Sequence, residues 1–416
     1  MNDGVEARIC CLDLDTFFVS VERLYEPSLV GAPVIVGGKP GERGVVSACS
    51  YEARAFGVRS GMSLRDAGRL APDAIYLPTR HDTYGEYSAK VREIAARYSP
   101  QIQAASIDEM YMSFAGCERL YAKPEDSSRD ATIERVVREL TAAIQSELGL
   151  PSSAGIATSR SMAKVACGLA KPAGVRLVPA GREPEVLAPL PVRKLPGIGE
   201  VAEGRLHRLG IRTLGELSAT SVADLKPVFG AWAEGMKRAA LGAGATELGP
   251  ERPAFREQDV DGEVIGSISN ERTFSHDEGD EAVIEAMLVA LSERVAWRAR
   301  RRGVKGRTVT LKLRWSNFQT LSRSKTLAVP TWSEAAVHEA VRAAWRAERA
   351  PGRRVRLLGV QLSKLELERQ LGLFESTETA SGRPVREGVE DAVDAIRTKF
   401  GYDAVRLATG RERGKF

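Results

Sequence analysis

Residues 8–22, RICCLDLDTFFVSVE, hold the pattern from which the fold of this chain can be worked out. The apolar run ICCL, followed by Asp13 and Asp15, is typical of a short buried strand that ends in acidic residues. The next segment, FFVSVERLYEP, has helical character and is stopped by Pro27. A buried strand that leads directly into a helix is the first element pair of a mixed α and β structure.

Strands and helices are expected to alternate to about residue 178, after which the pattern changes. Short helices separated by Gly and Pro dominate 190–245, and the polar, Pro-containing stretch 246–262 predicts a linker. Mixed α and β character returns over 263–366, and the last segment of the chain looks helical. The further predictions are strands at 33–37, 44–49, 102–114 (a pair around an acidic turn), 151–158, 307–315 and 355–365, and helices at 83–98, 128–148 and 159–172.

Composition bounds the class of protein. The chain has 416 residues, of which 43% are hydrophobic and 28% charged, which is ordinary for a folded protein of about two to four domains. Its five cysteines are odd in number and show no CxxC spacing, so neither a disulfide framework nor a zinc cage is expected. Neither a signal peptide nor a membrane-length apolar run is recognised, so we expect a cytoplasmic protein.

Two acidic clusters, each embedded in apolar sequence, are the candidates for chemistry. Asp13 and Asp15 end the first strand, and Asp108 with Glu109 lies in the segment SIDEMY. Carboxylates at strand ends suit Mg²⁺, which prefers oxygen ligands and usually keeps phosphate and water in its other positions. Two such ions would activate an attacking hydroxyl and stabilise a leaving pyrophosphate. For either cluster alone, exposed turn residues are the alternative interpretation.

Three motifs, in this order and spacing, resemble those of the Y-family, or translesion, DNA polymerases, and most closely its DNA polymerase IV branch: LDLDTFFVSVE, SYEARAFGVRSGM and SIDEMYM. The likeness covers residue 8 to about 374. It implies a multidomain α+β fold, a right-hand polymerase with a palm of mixed sheet and helices, small fingers, a helical thumb with a helix–hairpin–helix, and an α/β little finger. The boundaries that it implies are palm 1–16 and 82–178, fingers 17–81, thumb 179–245, linker 246–262, little finger 263–366 and tail 367–416.

The resemblance also implies roles for the acidic residues. Asp13, Asp108 and Glu109 match the catalytic, metal-binding carboxylates of the family, and the carbonyl of Leu14 matches a backbone ligand. These residues imply two Mg²⁺ ions, for which Mn²⁺ would be a substitute. Asp15 matches a family acid that is not a primary ligand, and we expect it to be structural.

Phe17 and Phe18 are similar to family residues beside the incoming nucleotide. Phe18 matches the aromatic steric gate that abuts the sugar 2′ position and excludes ribonucleotides, and a core phenylalanine is its alternative interpretation. In the segment GVRSGM, Ser60 and Gly61 resemble the small-residue roof over the nascent base pair. Such a roof would admit damaged templates at the expense of fidelity, and an ordinary glycine turn is the alternative.

Cationic and phenolic side chains are the candidates for binding phosphate. Tyr51 and Arg54 in YEAR have i, i+3 spacing, so both are expected on one face of a turn, where the Arg fork would bind phosphate oxygens. Lys164 and Lys171 lie seven residues apart, which predicts one face of a helix. They are similar to family lysines near DNA and near the triphosphate, respectively. At Ala48 family members often have Thr, so a hydroxyl contact to phosphate is not expected here.

Two segments are candidates for gripping DNA. LPGIG at 195–199 resembles the hairpin of a helix–hairpin–helix, although a plain helical turn is the alternative. Residues 294–314 carry nine basic residues and no acidic ones, and the strand 307–315 alternates between apolar residues and Thr, Lys or Arg. This alternation favours a sheet that faces the DNA backbone over an ordinary solvated surface. The DNA-binding residues expected are Lys164, Gly197, Gly199, Arg300, Arg301, Lys312 and Arg314.

QLGLF at 370–374 resembles the bacterial sliding-clamp-binding peptide, with Gln370, Leu371, Leu373 and Phe374 as its contacts.

Together, the motifs and the resemblance that they carry predict a bacterial, monomeric, low-fidelity DNA polymerase without proofreading. Its expected partners are primer–template DNA, dNTPs and the sliding clamp. Two alternatives are a non-catalytic member that only recruits partners, which would typically lack the acids, and a palm-type nucleotidyl cyclase, which would not need the hairpin, the basic sheet or the clamp peptide.

Overall fold

The computed structural model describes residues 8–249, 266–367 and 385–405. It divides into two compact units, Met1–Phe255 and Arg256–Phe416, and the division falls within the predicted linker 246–262. Most of that linker lies outside the described residues. No helix in the described part of the chain is both long and apolar enough to cross a membrane.

Strands and helices alternate through the first part of unit 1, as the sequence predicts. The predictions at 33–37, 83–98 and 128–148 are confirmed, whereas the strand predicted at 44–49 is shorter because Val45 forms only an isolated bridge to Ser63. In chain order the elements are β1 Ile9–Leu14, α1 Phe17–Tyr25, β2 Val34–Val36, β3 Ala48–Cys49, α2 Tyr51–Ala55, α3 Leu64–Leu70, β4 Ile75–Leu77, α4 His81–Ala95, β5 Gln101–Ala104, β6 Glu109–Ser113, α5 Glu118–Tyr121, α6 Arg129–Leu148, β7 Ser152–Ala157, α7 Arg160–Ala170 and β8 Val175–Leu177.

A five-stranded sheet with the order β5-β6-β1-β7-β8 is the centre of this unit. β1 lies in the middle and pairs antiparallel with both β6 and β7. Cys10, Leu12 and Leu14 enter a core shared with α1, α4 and α6, while Ile9 and Cys11 enter a second core shared with α7. A strand buried on both faces has no polar side, which explains why ICCL shows no alternation.

The turn between β1 and α1 is made by Thr16, whose φ of 47° lies in the left-handed region. A residue other than glycine is disfavoured there and needs local support. The Ser20 hydroxyl supplies it by donating to the carbonyl of Asp15 at 2.7 Å, and it also lies 3.2 Å from the Thr16 hydroxyl. The tight turn places Phe17 and Phe18 close to the acidic end of β1.

A second, three-stranded sheet with the order β3-β2-β4 has a small core of its own. Ile35, Cys49 and Leu64 are fully or almost fully buried there, between the sheet and the helices α2 and α3. Both helices begin at a serine whose hydroxyl accepts a backbone hydrogen bond, Ser50 for α2 and Ser63 for α3. This small unit supports the YEAR segment, which forms α2.

Short helices follow, as the Gly- and Pro-punctuated sequence predicts. Thr213 and Glu216 form a capping box at the start of one of them, each side chain accepting from the backbone N–H of the other residue. Leu206, Leu214 and Leu217 are fully buried and join the core beneath α7. The helices are α8 Glu183–Leu187, α9 Glu200–Arg208, α10 Leu214–Ala219, α11 Val222–Phe229 and α12 Trp232–Ala240, with a 3₁₀ turn at Val192–Lys194.

Unit 2 is a four-stranded antiparallel sheet with the order β11-β10-β12-β9, covered on one face by two helices. The alternation predicted for residues 307–315 is confirmed, since Val309, Leu311 and Leu313 are buried against the helices while Lys312 and Arg314 lie on the other face. The elements are β9 Ser267–Glu278, α13 Glu281–Arg300, β10 Val304–Trp315, β11 Thr320–Thr331, α14 Glu334–Glu348, β12 Val355–Leu367 and α15 Val385–Phe400, followed by a 3₁₀ turn at Tyr402–Ala404.

The end of the helix α15 packs on α13 through a buried network of charges. The side chain of Arg397 is 1% exposed and lies 3.5 Å from the carboxylate of Glu293, which is 3% exposed. Arg300 pairs with Asp394 at 2.6 Å and with Glu334 at 2.8 Å. The helix expected from the sequence near the end of the chain therefore packs on this domain.

Replacing Arg397 with alanine is expected to destabilise unit 2 by about 3–5 kcal/mol, because the buried ion pairs that Arg397 makes with Glu293 and Glu334 would be lost. Denaturant unfolding followed by tryptophan fluorescence measures this, since four of the five tryptophans lie in unit 2. Lys399→Ala, at an exposed position of the same helix, is the control and should change the free energy of unfolding by less than about 0.5 kcal/mol. Equal effects of the two variants would contradict a structural role for the network.

Candidate active site

The antiparallel pairing of β1 with β6 brings the two acidic clusters of the sequence to one end of the central sheet. Asp13 lies directly opposite Glu109, and the N–H of Leu14 donates to the carbonyl of Asp108 at 2.9 Å. The side chains of Asp13 and Glu109 are 24% and 12% exposed, so water reaches both while most of each carboxylate is shielded. Two strand residues, Asp13 and Glu109, and Asp108 immediately before β6 therefore lie at one partly shielded edge of the sheet.

Two lysines from α7 and its end neutralise this edge. The Nζ of Lys171 pairs with Asp13, and the Nζ of Lys164 pairs with Glu109. Burial raises the pKa of Asp13 above its ordinary value, the pairing with Lys171 opposes the rise, and the neighbouring Asp108 and Glu109 add to it. For Lys171, burial acts to lower the pKa, but the ion pairs outweigh burial and the pKa lies above its ordinary value.

The donor set at this edge suits a hard divalent cation. Every side chain involved offers carboxylate oxygen, the ligand that Mg²⁺ prefers. Asp108 accepts a hydrogen bond from the hydroxyl of Ser106, and the lysines occupy the other two carboxylates. Over residues 8–249, 266–367 and 385–405 no three His, Cys, Asp or Glu side chains converge as a metal cage. The three carboxylates repel one another, and each contacts a different partner in this structure. A bound divalent cation would take the place of those partners.

Lys171 does not share a helix face with Lys164, contrary to the expectation from their spacing. α7 ends at Ala170, and Lys171 has an extended backbone with ψ of 142°. The reason is Pro172, because the residue before a proline is pushed out of the helical region. Lys171 consequently leaves the helix axis and reaches Asp13 and Asp15 instead of lying beside Lys164.

Phe18 stands against a rigid aromatic wall. Its ring stacks on Tyr84 with centroids 4.0 Å apart and an interplanar angle of 13°. Tyr84 is fully buried, and its hydroxyl donates to Glu22 at 2.6 Å, so the wall has little freedom to move. Phe17, in contrast, is only 2% exposed and packs in the core with its ring 6.3 Å from that of Tyr84, so its place beside a nucleotide stays a prediction.

Tyr51 and Arg54 lie on one face of α2, as their spacing predicts. The guanidinium of Arg54 sits 5.0 Å from the centroid of the Tyr51 ring, and the Tyr51 hydroxyl donates to Asp15 at 3.2 Å. Ser60 and Gly61 are exposed, and Gly61 has a φ of 83° with open space beside it. The loop thus presents a small, unobstructed surface, and its backbone at Gly61 favours glycine.

The segment 195–199 forms a tight turn that leads into α9. Gly197 has a φ of 95°, which explains why glycine is needed there, and Gly199 precedes the first residue of α9. A cleft of about 260 Å³ separates this hairpin from α7, and its lining includes Lys164, Arg193 and Lys194. Lys164 is paired with Glu109, and Arg193 lies 3.8 Å from Glu203, so the cleft carries acids as well as the three cations.

The basic run 294–314 does not form a single surface, because it crosses from a helix into a strand. Lys312 and Arg314 lie on the open face of the sheet in unit 2, as expected. Arg300, however, has a 7% exposed side chain between Asp394 and Glu334, which corrects its assignment as a DNA contact. Arg301 lies at the end of α13, with its guanidinium 4.8 Å from the Trp297 ring centroid, and therefore belongs to the helical layer.

Three residues at the site have no signal that sequence reasoning could use. Tyr84 supports Phe18 from α4, Ser106 donates to Asp108 and Ser153 donates to Asp15 at 2.7 Å from β7. Each is a common residue type whose role depends on a partner brought close by the fold. The clamp-like peptide at 370–374 lies outside the described residues.

Three family models match the chain. The impB/mucB/samB family matches residues 12–168, the C-terminal domain of the same family matches 266–373, and the IMS family HHH motif matches 180–211. The last match coincides with the region around the hairpin 195–199 and confirms the helix–hairpin–helix expected there.

Several curated proteins that resemble the chain over most of its length are named DNA polymerase IV. DNA polymerase IV of Dehalococcoides mccartyi strain CBDB1 is 38% identical over 405 residues, 97% of each chain. DNA polymerase IV of Halorhodospira halophila is 38% identical over 371 residues, 89% of this chain and 98% of its own. Among solved structures, a Y-family DNA polymerase chimera aligns with a TM-score of 0.71 at 22% identity, over 87% of this chain and 100% of its own. That likeness shows the shared fold.

Proposed function

The chain belongs to the DNA polymerase IV branch of the Y-family of translesion DNA polymerases, and from this premise we propose that it extends primers with low fidelity by two-metal-ion catalysis. The observation that carries the proposal is the register of β1 and β6, in which Asp13 faces Glu109 and Leu14 is hydrogen-bonded to Asp108. The fold also supports the proposal, because the chain has a right-hand polymerase architecture with a helix–hairpin–helix and a C-terminal sheet domain.

Asp13, Asp108 and Glu109, with the carbonyl of Leu14, would hold two Mg²⁺ ions. When bound, such ions lower the pKa of a primer 3′-hydroxyl and neutralise charge on the transferred phosphate. The carboxylates fix the position of the reacting groups, and the strands beneath them keep that position rigid. Lys171, which pairs with Asp13 here, would then be released to face the triphosphate of a deoxynucleotide.

The nucleotide would lie between α2, Phe18 and Lys171. Tyr51 and Arg54 offer a phenol and a guanidinium to the phosphates from one helix face. Phe18 would close the space at the sugar 2′ position, and the exposed Ser60–Gly61 loop would leave room above the base pair. We infer low fidelity from this small roof, and we expect no proofreading because the sequence shows no separate exonuclease-like acidic domain.

DNA would be held at two places, one in each unit. In unit 1 the hairpin 195–199 and the cleft lined by Lys164, Arg193 and Lys194 suit backbone phosphate. In unit 2 the open face of the sheet carries Lys312 and Arg314. One structural neighbour is an insertion ternary complex of Dbh DNA polymerase, and that complex supports the same kind of assembly for this chain.

Primer extension tests the proposal. The intact chain should extend a labelled primer with dNTPs and Mg²⁺ on an undamaged template and past at least one template lesion. It should leave a mismatched primer end untrimmed. DNA binding without any extension would favour the non-catalytic recruiting protein. Pyrophosphate release from a nucleotide alone, without DNA binding, would favour the cyclase.

Glu271→Gln is expected to tighten duplex binding by about 3- to 10-fold at low salt, because Glu271 places a negative charge on the DNA-facing sheet. Its carboxylate lies 2.5 Å from the Nζ of Lys312. Gly359 lies between the two residues on the strand β12, and because it has no side chain it leaves room for this contact. Fluorescence anisotropy over a salt series measures the effect, which should fade at high salt. Glu285→Gln removes an ion-paired acid from the helical layer and should not change affinity. Equal affinities for all three proteins would contradict DNA binding at this face.

The sliding clamp stays a predicted partner on the strength of QLGLF at 370–374 alone. We propose that these residues bind the clamp as an extended peptide with apolar anchors.

A further inference from the structure

Asp15 is the most deeply buried carboxylate at the site, with a side chain that is 1% exposed. It accepts hydrogen bonds from four groups: the Ser153 hydroxyl at 2.7 Å, the Ala173 N–H at 2.7 Å, the Tyr51 hydroxyl at 3.2 Å, and the Lys171 ammonium at 3.2 Å. A buried charge needs such a full set of donors to be tolerated.

The two oxygens of Asp15 have different partners. Oδ2 accepts from Ser153 in β7 and from the backbone of Ala173, both of which belong to the scaffold. Oδ1 accepts from Tyr51 and lies beside the ammonium of Lys171, the two side chains proposed to meet the triphosphate. One oxygen therefore anchors the carboxylate, and the other orients the nucleotide-binding groups.

The backbone of Asp15 is also fixed. Its N–H donates to the carbonyl of Pro151 at 2.9 Å, and its carbonyl accepts from the Ser20 hydroxyl at 2.7 Å. The carboxylate cannot swing outward to join Asp13 without breaking these contacts and those of Oδ2. Asp15 is thus unsuited to bind a metal, although it lies only two residues from Asp13.

The ion pairs of Lys171 indicate how Asp15 could help to bind the substrate. The ammonium pairs with both Asp13 and Asp15. If Asp13 binds a metal ion, Asp15 is the remaining carboxylate that holds the ammonium beside the site. An ammonium on a flexible four-carbon chain is otherwise mobile, and holding it in place lowers the entropy lost when a phosphate binds.

We propose that Asp15 is a positioning residue that sets Lys171 and Tyr51 for the incoming triphosphate and so determines dNTP affinity rather than the rate of the chemical step. The inference rests on the proposed function. It assigns to this acid a role in substrate binding, where the sequence alone indicates only a structural one.

Asp15→Asn tests this most selectively. The amide oxygen can keep the two donors at Oδ2, while the amide NH₂ would face the ammonium of Lys171, a donor facing a donor. We expect the Kd of dNTP for a complex with dideoxy-terminated primer to rise about 10- to 100-fold, the range for a lost hydrogen bond to a charged group. The KM of dNTP should rise with it, and kcat should stay within about threefold of the wild type.

A double-mutant cycle separates positioning from a merely structural effect. If Asp15 acts partly through Lys171, Asp15→Asn combined with Lys171→Ala should weaken dNTP binding by clearly less than the product of the two single effects, the remaining loss being the part that acts through Tyr51. Ser153→Ala, a small change in the core, should raise the dNTP Kd several-fold by loosening the anchor, and it provides the test if Asp15→Asn fails to fold.

An unchanged dNTP Kd in folded Asp15→Asn, or in Ser153→Ala if the first variant does not fold, would overturn the inference. Full additivity in the cycle, or a fall in kcat alone, would also overturn it. In each of those cases the wild type still binds and extends DNA, so the proposed function stands. A wild type that binds neither primer–template nor dNTP would overturn both.

Discussion

Asp108→Ala is expected to lower the rate of single-nucleotide incorporation by at least about 10³-fold, because metal coordination supplies several kcal/mol of transition-state stabilisation. Asp108 stands immediately before β6, and its backbone carbonyl accepts a hydrogen bond from Leu14. Its carboxylate lies at the edge of the sheet and accepts a hydrogen bond from the Ser106 hydroxyl. The loss should therefore fall on chemistry rather than on folding. Single-turnover primer extension with saturating dNTP measures it.

Two controls make the result specific to the site. Asp73→Ala removes an exposed carboxylate elsewhere in unit 1 and should leave the incorporation rate unchanged. Duplex binding by Asp108→Ala should match the wild type, which shows that the variant is folded. Incorporation by Asp108→Ala within about tenfold of the wild-type rate would remove Asp108 from the catalytic set.

Phe18→Ala is expected to reduce the discrimination between dNTP and rNTP by at least about 100-fold, since a wall that excludes one hydroxyl would be lost. We expect Phe18 to exclude the hydroxyl well because its position is fixed: its ring stacks on Tyr84, and the Tyr84 hydroxyl donates to Glu22. The ratio of kcat/KM for matched dNTP and rNTP measures the change. The gain should appear in rNTP use, with dNTP use changed much less.

Phe56→Ala is the matched control, because Phe56 is a phenylalanine of the same unit with 55% exposure. It should discriminate as the wild type does. If Phe18→Ala still rejects rNTPs as strongly as the wild type, Phe18 is a core residue and another group forms the gate.

The parts of the fold that sequence reasoning predicted best are those set by local pattern. The helix predicted at 128–148 is found at Arg129–Leu148, because Ser128 accepts the hydrogen bond that starts it and Gly149 adopts the left-handed conformation that ends it. The strand at 307–315 follows its alternation because one of its faces lies on a core and the other on solvent.

What sequence reasoning missed depends on partners far apart in the chain. Spacing predicts Lys171 on a helix face, but Pro172 forces Lys171 into an extended conformation, and its side chain pairs with Asp13 and Asp15. The basic run predicts Arg300 as an available cation, because its partner Asp394 belongs to a helix almost a hundred residues later in the chain. Spacing in the sequence indicates which residues lie on one face of the same helix or strand. It does not indicate which other helix or strand packs against that face in the folded chain.

The acidic site illustrates the same division. The motifs place Asp13, Asp108 and Glu109 in the catalytic set, and the β1–β6 register puts them at one edge, as a shared role requires. The role of Asp15 could not be read from its position, because its four donors come from α2, β7 and the segment after α7. Its burial, which distinguishes it from Asp13, is a property of the folded chain alone.

Counting bound Mn²⁺ by electron paramagnetic resonance, in a complex with dideoxy-terminated primer–template and dNTP, tests the metal site most directly. The carboxylates at the β1–β6 edge predict two ions per wild-type complex and fewer in Asp108→Ala, with dNTP present in both at saturating concentration. The same number of bound ions in the two proteins would contradict the assignment of this edge as the two-metal catalytic centre.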